Sequence, residues 1–340
     1  METKRWFAID KLQDKQEAIQ AAAALLKAGE AVAFPTETVY GLGADATNEL
    51  AVNKIFEAKG RPQDNPLIVH VATAQQLKEL VSEIPPYVDK LLEAFTPGPL
   101  TFVLPSNGRC ADNVTAGLDS VGVRIPDHPA ALSLLKQAAV PVAAPSANLS
   151  GKPSPTSADH VWADLQGRIA GVLDGGATGV GVESTVLDCT QPIPIILRPG
   201  GIAIEQLEQV VGTVMVDPGL ANEHERPRSP GMKYRHYSPD APLWLVKGSA
   251  DKLQQVVYKE SQKGQRVGVM AASGTIARIE ADLKKDLGAS LESVATALYD
   301  ALRMFNSQHV DLIICEAFSE EGIGQAVMNR LKKAASHYIE

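Results

Sequence analysis

The chain of 340 residues is 45% hydrophobic and 21% charged, values close to the globular average that exclude wholesale disorder. This length is typical of about two domains, each able to bury a core without disulfides or a structural metal. The formal net charge of −8 argues against stable binding to nucleic acid through the overall charge of the chain. Residues 243–340 hold 12 basic and 12 acidic side chains, so the net charge lies on residues 1–242. An anionic ligand there needs locally clustered cations.

Cysteine usage and hydropathy indicate the compartment. The three cysteines are far apart, and the sequence contains no CxxC motif and no Cys/His cluster. This excludes a disulfide framework and fits a reducing cytoplasm. Neither the N-terminus nor the apolar run at 18–34 has the length of a signal peptide or a membrane span, since Lys27, Gly29 and Glu30 interrupt the run. We therefore expect a soluble cytoplasmic protein without membrane attachment.

Helix and strand patterns alternate over residues 1–212. A first helix is predicted to begin near Asp14 and to end at Gly29, and a second to run from its cap Asn48 through Lys59. Further helices are predicted near 74–82, 86–95, 128–138 and 157–166, and strands at 31–34, 67–71, 100–104, 121–125, 140–144, 171–174 and 184–188. The pattern favours an α/β domain with a mixed, twisted sheet.

Proline marks the boundary between two domains. All 22 prolines lie at or before Pro242. Residues 214–242 contain five prolines and no apolar period, and this segment is too long for an ordinary loop. We predict a first domain over 1–212, a linker or active-site lid over 213–242, and a C-terminal domain over 243–340.

The C-terminal domain again alternates strands and helices. Strands are predicted at 243–247, 266–272 and 311–317, with helices at about 250–263 and 290–307 and a last helix ending near 335. This alternation favours a small Rossmann-like parallel sheet with covering helices. No GxGxxG follows its first strand, so the dinucleotide fingerprint is absent.

Hydroxyls, cations and glycines collect where predicted strands end, which is where α/β sheets commonly bind ligands. In FPTETVYGLGADA (34–46), Pro35 ends a strand, Thr38 offers a hydroxyl, and Gly41 and Gly43 allow close backbone approach. The alternative for this segment is a plain strand-to-helix turn.

A second segment, KGRPQDNPL (59–67), places Lys59 and Arg61 on a loop stiffened by Gly60 and Pro62. Arginine offers a planar fork and lysine a point charge, so the pair suits a polyphosphate. The alternative is a solvated basic helix C-terminus favoured by the macrodipole.

A third segment, SVGVRIPDHP (120–129), puts Arg124 inside an apolar strand. Inward-facing arginines are rare unless paired, so either a protein carboxylate or a ligand carboxylate must neutralise it. His128 stands at a helix start, where a surface or capping role is more common than catalysis. His70, within LIVHV, is consistent with a satisfied core histidine and with a ligand contact.

The remaining segments are VAAPSANLSGKPSPT (142–156), GVESTVLD (181–188) and ILRPGG (196–201). Small residues such as Ala144 permit a flat ring to lie on the backbone, and Arg198 directly follows an apolar stretch. Together these segments supply donors for one anionic ligand. The sequence contains no GxSxG nucleophile elbow, no paired carboxylates and no HExxH.

These motifs, taken together, resemble the YrdC-type domain of threonylcarbamoyl-AMP synthases. The proline-rich SPGMKYRHYSP (229–239) and the C-terminal α/β domain resemble the two-domain form of that family, so the match spans essentially the whole chain. The resemblance implies an open, twisted mixed sheet with a central cavity. It also implies a reaction that converts L-threonine, bicarbonate and ATP into threonylcarbamoyl-AMP, diphosphate and water. In this family a separate threonylcarbamoyltransferase complex then modifies a tRNA adenosine beside the anticodon.

The resemblance further implies a role for particular residues. Lys59 and Arg61 are the expected catalytic residues. L-Threonine is expected to contact Thr38, His70, Arg124 and Ser184. ATP is expected to contact Arg61, Asn65, Ser120, Ala144, Ser146, Ser154, Arg198 and Tyr234. No protein metal site and no organic cofactor are expected, because Mg²⁺ should arrive with ATP and bridge its phosphate oxygens.

Several alternatives stay open at this stage. The segment 229–239 is expected to fold over the cavity as a lid, with Tyr234 or else His236 reaching the nucleotide; a solvent-exposed tether is the alternative. A double-stranded RNA-binding module is the main alternative function, although the acidic charge of residues 1–242 weighs against it and stable tRNA binding is not expected. A carbamoyltransferase related to hydrogenase maturation factors is a further alternative, but its zinc-finger and acylphosphatase parts are missing from the sequence. The C-terminal domain could be regulatory, a docking surface or a clamp for the lid.

Overall fold

The computed structural model describes residues 2–8, 12–221 and 237–340. The chain divides into two compact units. The first comprises residues 1–150, 154–179 and 183–234, and the second comprises residues 151–153, 180–182 and 235–340. No helix of the described ranges is both long enough and apolar enough to cross a membrane.

The first unit is built on a mixed sheet, to which eleven strands of the described ranges belong. They are β1 (Lys4–Phe7), β2 (Val32–Phe34), β3 (Gly41–Asp45), β4 (Ile68–His70), β5 (Leu100–Pro105), β6 (Ser120–Arg124), β7 (Val142–Ala143), β8 (Gly171–Asp174), β9 (Thr185–Asp188), β10 (Ile195–Arg198) and β11 (Met215–Val216). The spatial order is β1-β8-β2-β3-β7-β4-β6-β5-β9-β10-β11. Strands β4 and β6 are parallel, whereas β5 runs antiparallel to β6. The predicted mixed α/β fold is confirmed.

Helices cover this sheet. They are α1 (Leu12–Lys27), α2 (Glu49–Lys59), α3 (Ala74–Lys78), α4 (Pro86–Phe95), α5 (Asp112–Thr115), α6 (Pro129–Ala138), α7 (Ala158–Leu165) and α8 (Ile204–Val211). The boundaries predicted for α2 are confirmed: Asn48 accepts a hydrogen bond from the Ala51 N–H at 3.2 Å, and Gly60 ends the helix with a φ of 61°. Helix α3 is shorter than predicted.

The two faces of the central strands differ in what they bury, as the alternating side chains of β5 show. Phe102 belongs to a large core cluster beneath the helices. Val103 points to the opposite face, where it packs with Ile68 and Val186 in a small separate cluster. Part of this second face lines a cleft, described below, and the candidate side chains of His70, Arg124 and Arg198 belong to the same face.

Strand β3 was not predicted from the sequence. Residues 41–45 pair antiparallel with β2 directly after the Pro35 turn. A Cβ at Gly43 would lie 2.7 Å from side-chain atoms of both Phe34 and Val142. Gly43 is therefore needed for the packing of Phe34 and Val142 within a hairpin of the sheet.

The second unit contains a parallel sheet, as predicted. Its strands are β12 (Leu243–Val246), β13 (Val267–Ala271), β14 (Leu283–Asp286), β15 (Leu312–Glu316) and β16 (His337–Ile339), in the order β14-β13-β15-β12-β16. Its helices are α9 (Ala250–Ser261), α10 (Ser273–Ile276), α11 (Leu291–Ser307) and α12 (Gly324–Ala334). The strands β14 and β16 were not predicted, because both lie at a sheet edge and have exposed or half-buried side chains without a buried apolar run.

The proline-rich segment predicted as a linker or lid is described only in part. Met215–Val216 pair with Ile195–Ile196 of β10, so the start of this segment extends the sheet of the first unit. Residues 222–236 lie outside the described ranges, and Tyr234 and His236 are among them.

Candidate active site

Five neighbouring strands of the first unit present side chains at one register. His70 of β4 pairs with Arg124 of β6, and Arg124 pairs with Thr101 of β5. Thr101 pairs with Val186 of β9, which in turn pairs with Arg198 of β10 across a register shift. Side chains at paired positions share one face of a sheet. An imidazole, two guanidinium groups and a hydroxyl therefore collect on the cleft face.

Arg124 is buried, at 4% exposure, and is held by three groups. Its Nε donates a hydrogen bond to the carbonyl oxygen of Gly98 at 3.2 Å, and its Nη1 donates to Oγ1 of Thr38 at 3.0 Å. Its Nη2 lies 2.5 Å from Oε1 of Glu37. Of the two alternatives raised from the sequence, the structure contains the protein carboxylate. Glu37 was not singled out from the sequence; its only signal is its place beside Thr38.

The loop that holds Thr38 is fixed by its own hydroxyl groups. Oγ1 of Thr36 lies 2.9 Å from Oγ1 of Thr38 and donates a hydrogen bond to the carbonyl oxygen of Val39 at 2.6 Å. Both threonines are buried. The Thr38 hydroxyl is therefore positioned between Thr36 and the Arg124 guanidinium.

Ser184 and Arg198 lie at the β10 end of the row of paired side chains that runs from His70 to Arg198. Arg198 is buried, and its Nη2 donates to the carbonyl oxygen of Ser184 at 2.9 Å and to Oγ of Ser184 at 3.2 Å. Oγ of Ser184 also lies 2.8 Å from Oγ1 of Thr101. Gly200 packs so closely here that a Cβ would overlap the backbone of Ser184 and Thr185. The glycine of the LRPGG motif therefore allows Arg198 and Ser184 to meet.

His70 is neutral in this environment. Burial, followed by repulsion from the nearby Arg124 guanidinium, lowers the pKa of His70 to about 3. Its ring makes an edge contact with Phe34, at 6.0 Å between centroids. Its Nδ1 has no hydrogen-bond partner within the described ranges. His70 therefore presents an uncharged imidazole beside Arg124 that interacts with the backbone of Ile68 and Val142, and this environment is compatible with both alternatives considered from the sequence, a core histidine and a ligand contact.

Lys59 is buried, so the alternative of a solvated helix end is wrong for this residue. Its ammonium donates hydrogen bonds to the carbonyl oxygens of Ser146, at 2.5 Å, and Asn148. Oγ of Ser146 donates to Oδ1 of Asn148 at 2.6 Å. The Lys59 cation therefore holds the loop that follows β7 in place.

Arg61 and Asn65 lie on the loop that leads into β4. Nη2 of Arg61 donates to the carbonyl oxygens of Asn65 and Pro66, at 3.4 and 3.3 Å. Asn65 is buried, and its Oδ1 lacks a hydrogen-bond partner in the part of the chain that the structure describes. Pro66 lines the same cleft as Thr101 and Ser120. The Arg61 guanidinium therefore contacts the backbone of a residue that lines the cleft.

A cleft that opens to solvent lies on this face of the sheet. Its lining includes Ile68, Gly122 and Val186, which belong to the strands of the side-chain row, and Ser120. A Cβ at Gly122 would only touch its neighbours, at 3.4 Å from the nearest atom. The lining thus combines apolar side chains with hydroxyl groups, whereas His70, Arg124 and Arg198 are not part of it.

The last two predicted nucleotide contacts border these groups. The Ala144 N–H donates to the carbonyl oxygen of Ile68 at 2.8 Å, which joins the end of β7 to β4. Oγ of Ser154 donates to Oε1 of Glu183 at 2.6 Å, and Glu183 directly precedes Ser184. Tyr234, the remaining predicted contact, lies outside the described residues.

His128 plays the structural part considered from the sequence. Its Nδ1 accepts a hydrogen bond from the Ala130 N–H at 3.2 Å, so the ring caps α6. Burial lowers the pKa of His128 despite the nearby charge of Glu37. The capping interpretation is therefore confirmed.

Among the described residues, no group of three or more His, Cys, Asp and Glu side chains is placed to hold a metal ion.

Two family profiles match the chain. The profile of the Sua5, YciO and YrdC family, described as "Telomere recombination", matches residues 24–200. The profile described as "Threonylcarbamoyl-AMP synthase, C-terminal domain" matches residues 202–336. The chain belongs to the threonylcarbamoyl-AMP synthase family.

Individual relatives agree with this assignment over nearly the full chain. The threonylcarbamoyl-AMP synthase of Bacillus subtilis is 54% identical over 340 residues, with 98% of each chain covered. That of Pyrococcus abyssi is 47% identical, with 94% of this chain and 95% of the relative covered. A crystal structure of P. abyssi Sua5 complexed with L-threonine covers 100% of both chains at 43% identity, with a TM-score of 0.93. The fold and family expected from the motifs are therefore confirmed.

Proposed function

We propose that this chain is an L-threonylcarbamoyladenylate synthase, which forms threonylcarbamoyl-AMP, diphosphate and water from L-threonine, bicarbonate and ATP. One observation carries the proposal: Arg124, Arg198 and the neutral His70 occupy one register row on the face of the sheet from which Thr101 and Val186 line the cleft. Family membership and the L-threonine complex of the P. abyssi relative agree with it. No comparison supports the double-stranded RNA-binding alternative.

The threonine seat is proposed at the Arg124 end of the row. A guanidinium suits a carboxylate because it offers two parallel donors. The hydroxyl group of Thr38 and the neutral imidazole of His70 offer further polar contacts at this end, and the Ser184 hydroxyl is linked to it through Thr101, which pairs with Arg124. An uncharged His70 serves this purpose well, since it can exchange hydrogen bonds with a hydroxyl group and adds no second cation beside Arg124.

The nucleotide is proposed to extend from Arg198 toward Arg61 and the rim of the cleft. Arg61 and Arg198 supply charge for the phosphates, Ser120 lines the cleft, and the buried Oδ1 of Asn65 has no hydrogen-bond partner among the described residues. Ala144, Ser146 and Ser154 complete the set on the adjoining loops. Mg²⁺ is proposed to enter with ATP as part of the substrate, on the phosphate oxygens.

Lys59 is proposed to act in two ways. Its ammonium donates to the carbonyl oxygens of Ser146 and Asn148, which shapes the nucleotide-binding loop. The same positive charge favours phosphate groups near that loop. A buried lysine that both organises backbone and attracts an anion is consistent with catalysis by positioning.

The proposed reaction needs no protein nucleophile. The amine of L-threonine and carbon dioxide or bicarbonate give a carbamate, and a carbamate oxygen attacks the α-phosphate and expels diphosphate. The protein accelerates this step by orienting the two substrates and by stabilising negative charge on the phosphates. Loss of one such charge-assisted donor costs roughly 2–4 kcal/mol in the transition state.

The product and the compartment complete the proposal. Threonylcarbamoyl-AMP is a mixed anhydride that must be consumed before it hydrolyses, so a threonylcarbamoyltransferase complex acting on tRNA is the proposed downstream partner. The cytoplasm is the proposed compartment, because all three cysteines are buried free thiols. Residues 229–239 are proposed to cover the cavity as a lid and exclude water.

Diphosphate release tests the function directly. The purified full chain is supplied with MgATP, with and without L-threonine and bicarbonate, and the adenylate product is identified by mass spectrometry with ¹³C-bicarbonate. We expect release to depend on both substrates and the label to appear in the product. Release that ignores L-threonine would indicate a generic ATPase. Binding to double-stranded RNA that weakens steeply with salt, without turnover, would favour the alternative.

A further inference from the structure

Glu37 is a buried carboxylate with too few partners. Its side chain is 12% exposed, and its close contact is Nη2 of Arg124 at 2.5 Å. This contact lacks the geometry of a hydrogen bond, so neither Glu37 oxygen has a hydrogen-bond partner within the described ranges, and Nη2 has none either. A carboxylate has about four acceptor positions, and buried ones are normally filled. Glu37 therefore has unused capacity to accept hydrogen bonds.

Among the described residues, Arg124 is the one cation within ion-pair distance of Glu37. The nearby His128 is held neutral, since burial lowers its pKa, and its Nδ1 is used to cap α6. The backbone of Glu37 is fixed, because its carbonyl oxygen accepts a hydrogen bond from the Gly179 N–H at 3.1 Å. The carboxylate is thus anchored beside Arg124 with its oxygen atoms still able to accept donors.

The charges of this ion pair complement those of a free amino acid. Glu37 and Arg124 together carry one negative and one positive charge, and a zwitterionic amino acid carries one carboxylate and one ammonium. A substrate carboxylate that takes Nη2 of Arg124 removes the counter-ion of Glu37. An ammonium on the adjacent carbon replaces that counter-ion, so no buried charge is left unpaired.

We propose that Glu37 binds the ammonium group of the amino-acid substrate and serves as the counter-ion of Arg124 when the substrate is absent. This inference rests on the proposed function, because it assumes that Arg124 binds the substrate carboxylate. Glu37 thereby makes the site selective for amino acids over hydroxy acids. A carboxylic acid without an ammonium group breaks the Glu37–Arg124 pair and supplies no cation to replace Arg124 beside Glu37.

3-Hydroxybutyrate is a suitable probe, because it is threonine without the amine. Calorimetric titrations compare L-threonine and 3-hydroxybutyrate on the wild-type chain and on Glu37→Gln. On the wild-type chain we expect L-threonine to bind about 100-fold more tightly, the value of a charge-assisted contact. Glu37→Gln should weaken L-threonine and strengthen 3-hydroxybutyrate, which reduces the ratio to about tenfold or less.

A matched control separates this effect from damage to a buried ion pair. Glu260 is also a buried glutamate, paired with Lys263 at 2.7 Å in the second unit. Glu260→Gln should leave the ratio at its wild-type value. A purely structural role for Glu37 predicts that both ligands weaken equally in Glu37→Gln, so an unchanged ratio overturns the inference.

Two further results are distinguishable. If circular dichroism shows Glu37→Gln to be unfolded, Glu37→Asp replaces it: withdrawing the carboxylate by one methylene should still lower the ratio, and an unchanged ratio overturns the inference. A wild-type chain that binds no L-threonine overturns the proposed function together with the inference. If the wild-type chain binds L-threonine and Glu37→Gln keeps the same selectivity, only the inference is overturned.

Discussion

Replacing Arg124 by lysine tests the substrate seat most sharply, because the substitution keeps the charge and removes the fork. In the structure the guanidinium reaches three partners at once, the Gly98 carbonyl oxygen, the Thr38 hydroxyl and the Glu37 carboxylate. A lysine ammonium on a flexible stem cannot reproduce this planar arrangement. We therefore expect a substrate carboxylate to lose at least one directional hydrogen bond.

The magnitude follows from that lost bond. A hydrogen bond to a charged group contributes about 1.5–3 kcal/mol, so Arg124→Lys should weaken L-threonine binding by about 2 kcal/mol. This free energy corresponds to roughly a 30-fold higher dissociation constant. Isothermal titration calorimetry in the presence of a non-hydrolysable ATP analogue measures it, while the affinity for the analogue alone should change little.

The matched control is Arg109→Lys. Arg109 is exposed and forms a surface ion pair with Glu79 at 3.1 Å, the kind of contact that contributes little to stability or binding. Its replacement should leave L-threonine affinity unchanged. If folded Arg124→Lys bound L-threonine as tightly as the control, the assignment of the substrate carboxylate to Arg124 would be refuted.

Three further substitutions test neighbouring parts of the site. Lys59→Met leaves two backbone carbonyls without their donor, so urea denaturation should show a loss of about 2 kcal/mol in unfolding free energy together with lost turnover; wild-type stability would contradict the structural part of its role. His70→Gln should make the unfolding free energy less dependent on pH below 6.5. The imidazole has a pKa of about 3 in the folded and about 6.5 in the unfolded chain, so the wild type loses about 1.4 kcal/mol more per pH unit as pH falls from 6.5 toward 4. Parallel profiles of unfolding free energy against pH for the two proteins would contradict this. Gly200→Ala places a methyl group in the backbone of Ser184 and should cost about 1–3 kcal/mol, whereas Gly274→Ala enters open space and should be neutral; equal stability of the two variants would show that the close approach is not needed.

Local signals in the sequence predicted much of the fold. Helix α2 was bounded correctly because Asn48 supplies a side-chain cap and Gly60 adopts the left-handed conformation that ends the helix. Strands such as β4 and β6 were predicted because they are short apolar runs between turn residues. By contrast, β14 was missed because its LKKD sequence is polar and alternates between exposed and half-buried positions at a sheet edge.

The site was predictable in its components but not in its arrangement. The sequence indicated a cation inside an apolar strand at Arg124 and one directly after an apolar stretch at Arg198, and the family motifs added Thr38, His70 and Ser184. The register that puts these residues in one row depends on pairing between strands distant in sequence, which local patterns do not encode.

Glu37 shows most clearly what composition and motif spacing leave out. An acidic residue between two threonines has no special pattern of its own. Its importance arises only when the hairpin of β2 and β3 brings it to Arg124, 87 positions further along the chain. Sequence reasoning stated that Arg124 needs an anion, and the tertiary structure supplies which one.

The central claim is that one cleft seats an amino acid against a nucleoside triphosphate. A crystal structure of this chain with L-threonine and a non-hydrolysable ATP analogue tests it most directly. We predict the L-threonine carboxylate at about 3 Å from the Arg124 guanidinium, with the α-phosphate in the same cleft and facing the L-threonine amine. L-Threonine bound away from Arg124, or phosphates outside the cleft that Arg61 and Arg198 border, would contradict the account.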